Sequence, residues 1–268
     1  MRIPFTQVDA FADRPFAGNP AAVMPLPRWL DDATLQSIAA ENNLSETAFL
    51  VSDDSDAADY ALRWFTPAAE VALCGHATLA SGHVVLSSDT TLARVRFSTR
   101  QAGILEVARV DGIGAAGYLM ALPAWKPTPR AMPEIVAALG VEAVETLWHD
   151  KGYALVVVAD EAAVRAAAPD GRAVKALGPI VHIVAARGDK TDIVSRVFTD
   201  YYDIPEDPVT GSAHAVMVPY WADLLDRTAM TAFQASARGG HLTCRLDSER
   251  VLLGGACVTT IEGSFLLP

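Results

Sequence analysis

The sequence contains no run of eighteen apolar residues, although hydrophobic residues fill 51% of its 268 positions. A helix that crosses a bilayer needs about 20 such residues, so a soluble chain with no membrane partner is expected. Cysteine is scarce. Cys74, Cys244 and Cys257 are an odd number without metal-ligand spacing, so neither a disulfide framework nor a zinc site is expected. Basic charge is short: 21 Lys and Arg stand against 32 Asp and Glu, a formal charge of −11. Nucleic acid binding needs a basic stripe and is excluded as a partner class. A small anionic substrate is not excluded, because a site can be locally positive on an acidic protein. The chain also lacks G-x-G-x-x-G, a phosphate-cradling G-x-x-x-x-G-K loop, a G-x-S-x-G elbow and a metal-ligand cluster. Chemistry without cofactor or metal is the expectation. Residues Met1 to Asp9 have no apolar signal core and read as a strand, which makes the cytoplasm the expected location.

What is present is a repeat. Phe65-Thr66-Pro67-Ala68-Ala69-Glu70 leads into Cys74-Gly75-His76-Ala77. Phe198-Thr199-Asp200 leads, through Glu206-Asp207-Pro208, into Thr210-Gly211-Ser212-Ala213-His214-Ala215. The two phenylalanines are 133 positions apart, close to half the chain. A second echo follows each: Ser98 to Leu105, then Ser236 to Leu242. The chain therefore reads as two copies of one fold, each with a Gly-containing turn entering an apolar helix.

The organisation between these marks is mostly strand-like. Residues 3–9, 21–24, 44–51, 60–65, 94–97, 104–107 and 118–121 read as strands of the first half. Asp31 or Asp32 can cap a helix with Leu35, Ile38 and Ala39 on one face. Residues 77–86 are almost wholly apolar and small, which suits a helix buried on every side. Four prolines in 122–133 mark a linker. In the second half 153–159, 179–185, 193–198, 231–236, 241–246, 251–258 and 262–267 read as strands, with a second central helix at 213–225. Helices covered on all faces predict strands that wrap them as closed or nearly closed barrels. The fold class is α+β, with two pseudo-symmetric domains, each a β-barrel around a central helix. The limits are 1–122 and 123–268, with the C-terminal strand a candidate to complete the first barrel.

Glu46 is the sharpest chemical candidate. It lies between Ser45 and Thr47 at the mouth of the apolar Ala48-Phe49-Leu50-Val51. A carboxylate there is either a partly desolvated general acid or base, or an edge-strand charge facing water. Helix starts near His76 and Ser212 offer free N–H groups beside Gly75 and Gly211, an arrangement able to hold a carboxylate or simply a capped helix end. His76 and His214 can orient a substrate or fill a core. Asp207 can accept a substrate N–H or cap its loop, and Ser212 can be an N-cap. Cys74, just ahead of a helix start, is open to a lowered pKa or to a role as buried filler. Arg100 and Arg238 are anion contacts or structural strand-end residues.

Longer motifs carry a resemblance. Gln7-Val8-Asp9-Ala10-Phe11, Pro15 to Val23 with its Gly18-Asn19-Pro20 turn, Leu44-Ser45-Glu46-Thr47-Ala48-Phe49, Cys74-Gly75-His76-Ala77-Thr78 and Glu206 to Ala213 resemble the PhzF-like isomerases. These are the phenazine-biosynthesis-type branch of the diaminopimelate-epimerase fold, and the likeness runs in order along nearly the whole chain. It implies a cofactor-independent isomerase shifting a proton on a small carboxylated metabolite, in a cleft between the domains. It gives Glu46 the proton-carrying role. It gives Ser45, Gly75, His76, Asp207, Gly211 and Ser212 to substrate binding, with Asn19 and Cys74 as accessory residues and no metal. It also implies a homodimer. Related epimerases oppose two cysteines, and here Cys74 matches the first while the second turn, Thr210 to His214, has no thiol. A Cys74-assisted epimerase and a non-catalytic metabolite-binding or interaction protein are the alternatives.

Overall fold

The computed structural model describes residues 1–114 and 117–267. The chain divides into two compact units, Met1–Ala121 with Gly254–Pro268, and Leu122–Leu253. Gly254–Pro268 falls in the second half by the sequence limits, yet groups with the first unit. The reason is its pairing: the last strand runs antiparallel to the first, from Arg2 opposite Leu266 to Ala10 opposite Cys257.

The first unit begins β1 (Arg2–Ala10), β2 (Asn19–Leu26), α1 (Asp32–Asn42), β3 (Glu46–Ser52), β4 (Tyr60–Phe65), β5 (Glu70–Val71) and α2 (Gly75–Ser88). It continues with β6 (Arg94–Thr99), β7 (Ile104–Val110) and β8 (Gly117–Pro123). The second contains β9 (Thr128–Pro129), α3 (Pro133–Leu139), β10 (Glu145–His149), β11 (Tyr153–Val157), α4 (Glu161–Ala166) and α5 (Gly171–Ala176). Then follow β12 (Val181–Arg187), β13 (Ile193–Thr199), β14 (Ile204–Glu206), α6 (Gly211–Leu225), β15 (Ala229–Gln234) and β16 (Gly240–Asp247). The last strand, β17, spans Arg250–Leu266.

In the first unit the strands close a barrel in the order β1, β2, β3, β4, β6, β7, β8, β17 and back to β1. Closure leaves no free edge among these eight. Helix α2 touches β1, β2, β3, β6 and β7, and every residue from Gly75 to His83 is buried. That all-round contact explains its lack of a polar face. At Gly82 a Cβ would fall 2.4 Å from Val107 Cγ1, so glycine is what lets the helix approach β7. Outside the barrel, α1 lays Leu35, Ile38 and Ala39 against Met24, Leu26, Phe49 and Phe65. Burying side chains such as Leu35 and Ile38 contributes roughly 1.5–3 kcal/mol each. Asp31 is the cap of α1, accepting the Thr34 N–H at 2.9 Å.

The second unit repeats the plan. The ladder β10, β11, β12, β13, β15, β16 alternates antiparallel, parallel, antiparallel, parallel, antiparallel. The ladder β1, β2, β3, β4, β6, β7 has the same alternation. Parallel neighbours need a crossover, and the matched crossovers are α2 and α6. The repeat reaches side chains. Arg63 grips Glu70 through two bonds of 2.7 Å and lies 5.0 Å from the Phe65 ring centroid. Arg196 grips Glu206 at 2.8 and 2.9 Å and lies 4.8 Å from the Phe198 ring centroid. Thr66 and Thr199 each close the following turn, onto the carbonyls of Ala69 and Ile204. The outer face of the second ladder is covered by α3, α4 and α5 through Ile135, Leu139, Val164 and Val174. The 122–133 stretch is not a bare linker, since β8 runs to Pro123 and Thr128–Pro129 pairs with Leu147–Trp148.

Candidate active site

The Gly18 turn is the first positioning element. Its φ of +65° brings the chain back so tightly that a Cβ would sit 2.1 Å from the Ala10 carbonyl oxygen. Only glycine tolerates both conditions. The turn delivers Asn19 as the first residue of β2. Strand β3 lies parallel beside β2, with Glu46 level with Ala21, so Asn19 and Glu46 begin neighbouring strands. The start of α2 supplies Cys74 and His76.

These four residues meet at one imidazole. Asn19 Nδ2 lies 3.0 Å from His76 Nδ1, and Cys74 Sγ lies 3.5 Å from the same nitrogen. On the other side of the ring, His76 Nε2 is 3.0 Å from Glu46 Oε2. That is ion-pair range, yet neither atom has a hydrogen bond of acceptable geometry among the described residues. The contact is electrostatic rather than an aligned hydrogen bond. The His76 side chain is 4% exposed and that of Glu46 is 14%. Glu46 therefore keeps an open edge.

Burial opposes charge on His76, but Cys74 and Glu46 beside it hold its pKa well above the usual histidine value. Cys74 goes the opposite way from the sequence expectation. Burial and the Glu46 charge push its thiol up to about 11, against the pull of His76. A helix start lowers a thiol's pKa when the sulfur is solvated; here desolvation wins. At neutral pH Cys74 keeps its proton.

The second turn has its own geometry within its unit. Asp207 Oδ2 accepts the Thr210 hydroxyl at 2.5 Å. Gln234, fully buried, binds the whole turn. Its Oε1 accepts the Thr210 N–H at 2.8 Å, and its Nε2 donates to the Asp207 carbonyl at 2.6 Å. Thr210, not Ser212, is the residue that precedes α6 as its cap position. Ser212 lies one residue past Gly211 in the first turn, half-buried, where His76 stands in the first unit. His214 is inward and neutral: burial pulls its pKa down to about 4. Its Nδ1–H donates to the Thr210 carbonyl at 2.8 Å, as the Thr78 hydroxyl does to the Cys74 carbonyl at 2.6 Å. His214 is thus a helix-start brace.

Asn19, Glu46, Cys74 and His76 are brought together; Ser45 is half-buried next to Glu46, and Gly75 is buried between Cys74 and His76. Arg100 is engaged by Glu70 at 3.0 Å and Asp32 at 3.7 Å. Gln234 carried no signal in the sequence beyond its place at the end of a strand. The linear spacing showed no metal-ligand cluster, yet donor atoms of Glu46, Cys74 and His76 all lie within 4.8 Å of one another.

The profile described as phenazine biosynthesis-like protein matches residues 8–263. The chain belongs to the phenazine biosynthesis-like family. This phenazine biosynthesis-like chain is 48% identical over 269 residues to an uncharacterized isomerase of Pseudomonas aeruginosa, covering 100% of both. It is 42% identical to a PhzF-family phenazine biosynthesis protein of Enterococcus faecalis, with a TM-score of 0.90 and full coverage of both chains. A hydroxyproline epimerase from Agrobacterium vitis is 11% identical with a TM-score of 0.65, over 98% of this chain and 92% of that one. That last likeness shows the fold alone, the diaminopimelate-epimerase type. Three bacterial relatives at 36–48% identity bear the name uncharacterized isomerase, and the fold is one that an epimerase uses.

Proposed function

We propose that this protein is an isomerase that moves a proton on a small carboxylated metabolite, with Glu46 as the general acid and base and no cofactor. The observation that carries the reading is the Glu46–His76 pair: a carboxylate 14% exposed, backed at 3.0 Å by a buried imidazole whose pKa is raised. The Glu46 carboxylate takes a proton from substrate carbon and returns it at another atom. His76 stabilises the carboxylate form and, with Asn19 on its far nitrogen, fixes the ring. A positioned acid or base of this kind contributes roughly 10²–10⁴ in rate. Cys74, protonated at neutral pH, is a neighbour of the pair rather than a second base. Substrate binding is assigned to Ser45, Gly75, His76, Asp207, Gly211 and Ser212, and the working form to a homodimer.

The experiment is a screen in D₂O. Purified protein is incubated with a panel of small carboxylates, and mass spectrometry reads deuterium entering carbon. The reading expects at least one compound to gain deuterium only when protein is present. Compounds that bind but never exchange would make the protein a metabolite-binding module instead.

A further inference from the structure

Glu46 Oε2 and His76 Nε2 are both buried, 3.0 Å apart, and lack aligned hydrogen bonds among the described residues. Once the His76 ring gives up its proton, these two atoms are close enough to share a cation. The third donor is close: Cys74 Sγ is 3.5 Å from His76 Nδ1, and one donor atom each from Glu46, Cys74 and His76 all lie within 4.8 Å of one another. We propose that Glu46, Cys74 and His76 form a three-ligand zinc site, and that a bound Zn²⁺ silences the proton-transferring carboxylate.

Zinc is the metal that the donor set selects. A thiolate argues against magnesium and calcium, which take oxygen ligands. Thiolate, imidazole and carboxylate together suit borderline-soft Zn²⁺. With Zn–N and Zn–O lengths of about 2.0–2.1 Å and Zn–S of about 2.3 Å, a tetrahedral site has ligand-to-ligand edges of roughly 3.3–3.6 Å. The oxygen–nitrogen edge of 3.0 Å is within a few tenths of that value. The site requires the Cys74 side chain to turn from the Nδ1 side of the ring, where Sγ lies at 3.5 Å, toward Nε2. The Cys74 thiol and the protonated His76 ring each lose a proton to the medium as the Zn–S and Zn–N bonds form, and the fourth position is left to water. Asn19 completes the arrangement: it already contacts His76 Nδ1 at 3.0 Å, and its amide, turned to present Oδ1, accepts the Nδ1–H of a ligating imidazole. Metal-bound histidines rely on such outer partners.

Metal binding is independent of the isomerase reading; only the silencing rests on it. The test uses the full chain, stripped with chelator, and Co²⁺ as the optical probe. One equivalent of Co²⁺ should give a near-ultraviolet thiolate-to-metal band and intense visible bands of tetrahedral geometry, both displaced by one equivalent of Zn²⁺. Cys74→Ser should remove the thiolate band, and Glu46→Gln should weaken Zn²⁺ binding at least about tenfold in competition with a chromophoric chelator, since outer partners alone are worth 10–100-fold. Cys244→Ala and Cys257→Ala, each checked for an unchanged melting curve, should keep the band. A band that survives Cys74→Ser, or no band in the wild type, overturns the site. A site that forms while deuterium exchange continues in excess Zn²⁺ overturns the silencing and leaves the exchange reading in place.

Discussion

Acidification from pH 7 to pH 5 is expected to remove a large share of the stability of this protein through three buried histidines. Burial lowers the pKa of His83, His182 and His214 to about 4 each. For His83 the nearby Arg109 adds to the effect. All three are at most 7% exposed. His83 lies 3.0 Å from the Tyr118 hydroxyl and 2.9 Å from the Thr259 hydroxyl. The unfolded chain takes up a proton at each near pH 6.5, whereas the native state does so only near pH 4. The native state therefore binds fewer protons in this window, and its stability falls as pH falls. Each site contributes about 2 kcal/mol at pH 5, and the three together about 5–6 kcal/mol, against a usual total of about 5–15 kcal/mol. His76 works in the opposite sense. Its raised pKa stabilises the native state below pH 6.5 and that contribution is lost only as pH rises through the folded value, so it does not offset the loss below pH 6. Guanidinium unfolding at pH 7, 6 and 5, extrapolated linearly, measures the effect. His182→Leu should shallow the slope by about one third. Equal stability at pH 7 and pH 5, or an unchanged slope in His182→Leu, would refute the reasoning.

Two further outcomes follow from the repeated architecture. Arg63→Ala should cost more than Arg196→Ala, because Arg63 is 4% exposed and Arg196 is 17% exposed. Breaking a buried pair costs about 3–5 kcal/mol and a more solvated one less, so thermal melts should rank the variants in that order. Gln234→Leu should lower stability by at least about 2 kcal/mol, since it leaves the buried Thr210 N–H and the Asp207 carbonyl without this partner. In a compound found by the exchange screen, Gln234→Leu should also weaken binding while Gln234→Glu, which keeps the Thr210 contact, should weaken it less.

Much of this was legible in the residues, and for identifiable reasons. Helix α1 showed in Asp31 and the Leu35, Ile38, Ala39 face because a cap and a 3.6-residue period are local signals. The buried helices showed because 77–86 and 213–225 are mostly small or apolar, although the helices start two residues before those runs, at Gly75 and Gly211. The duplication showed because the Phe-Thr motif and the Gly turn recur, and the paired Arg–Glu grips lie within it. Helices α3, α4 and α5 did not show, since six or seven residues are too few for a period. The raised pKa of Cys74 was hidden because burial is a tertiary property. The Glu46, Cys74, His76 cluster was hidden for the same reason: the glutamate is 28 positions before the cysteine, and parallel pairing of β2 and β3 beside the α2 start is what joins them.

The most direct measurement of the central claim is solvent deuterium exchange in two variants, with a compound that the wild type labels. Glu46→Gln keeps shape and hydrogen bonding but carries no exchangeable acid proton, so it should abolish labelling while binding stays within about tenfold, or roughly 1.4 kcal/mol. Cys74→Ala, run beside it, should retain most of the wild-type rate. Full labelling by Glu46→Gln together with none by Cys74→Ala would contradict the account and make the thiol the proton carrier.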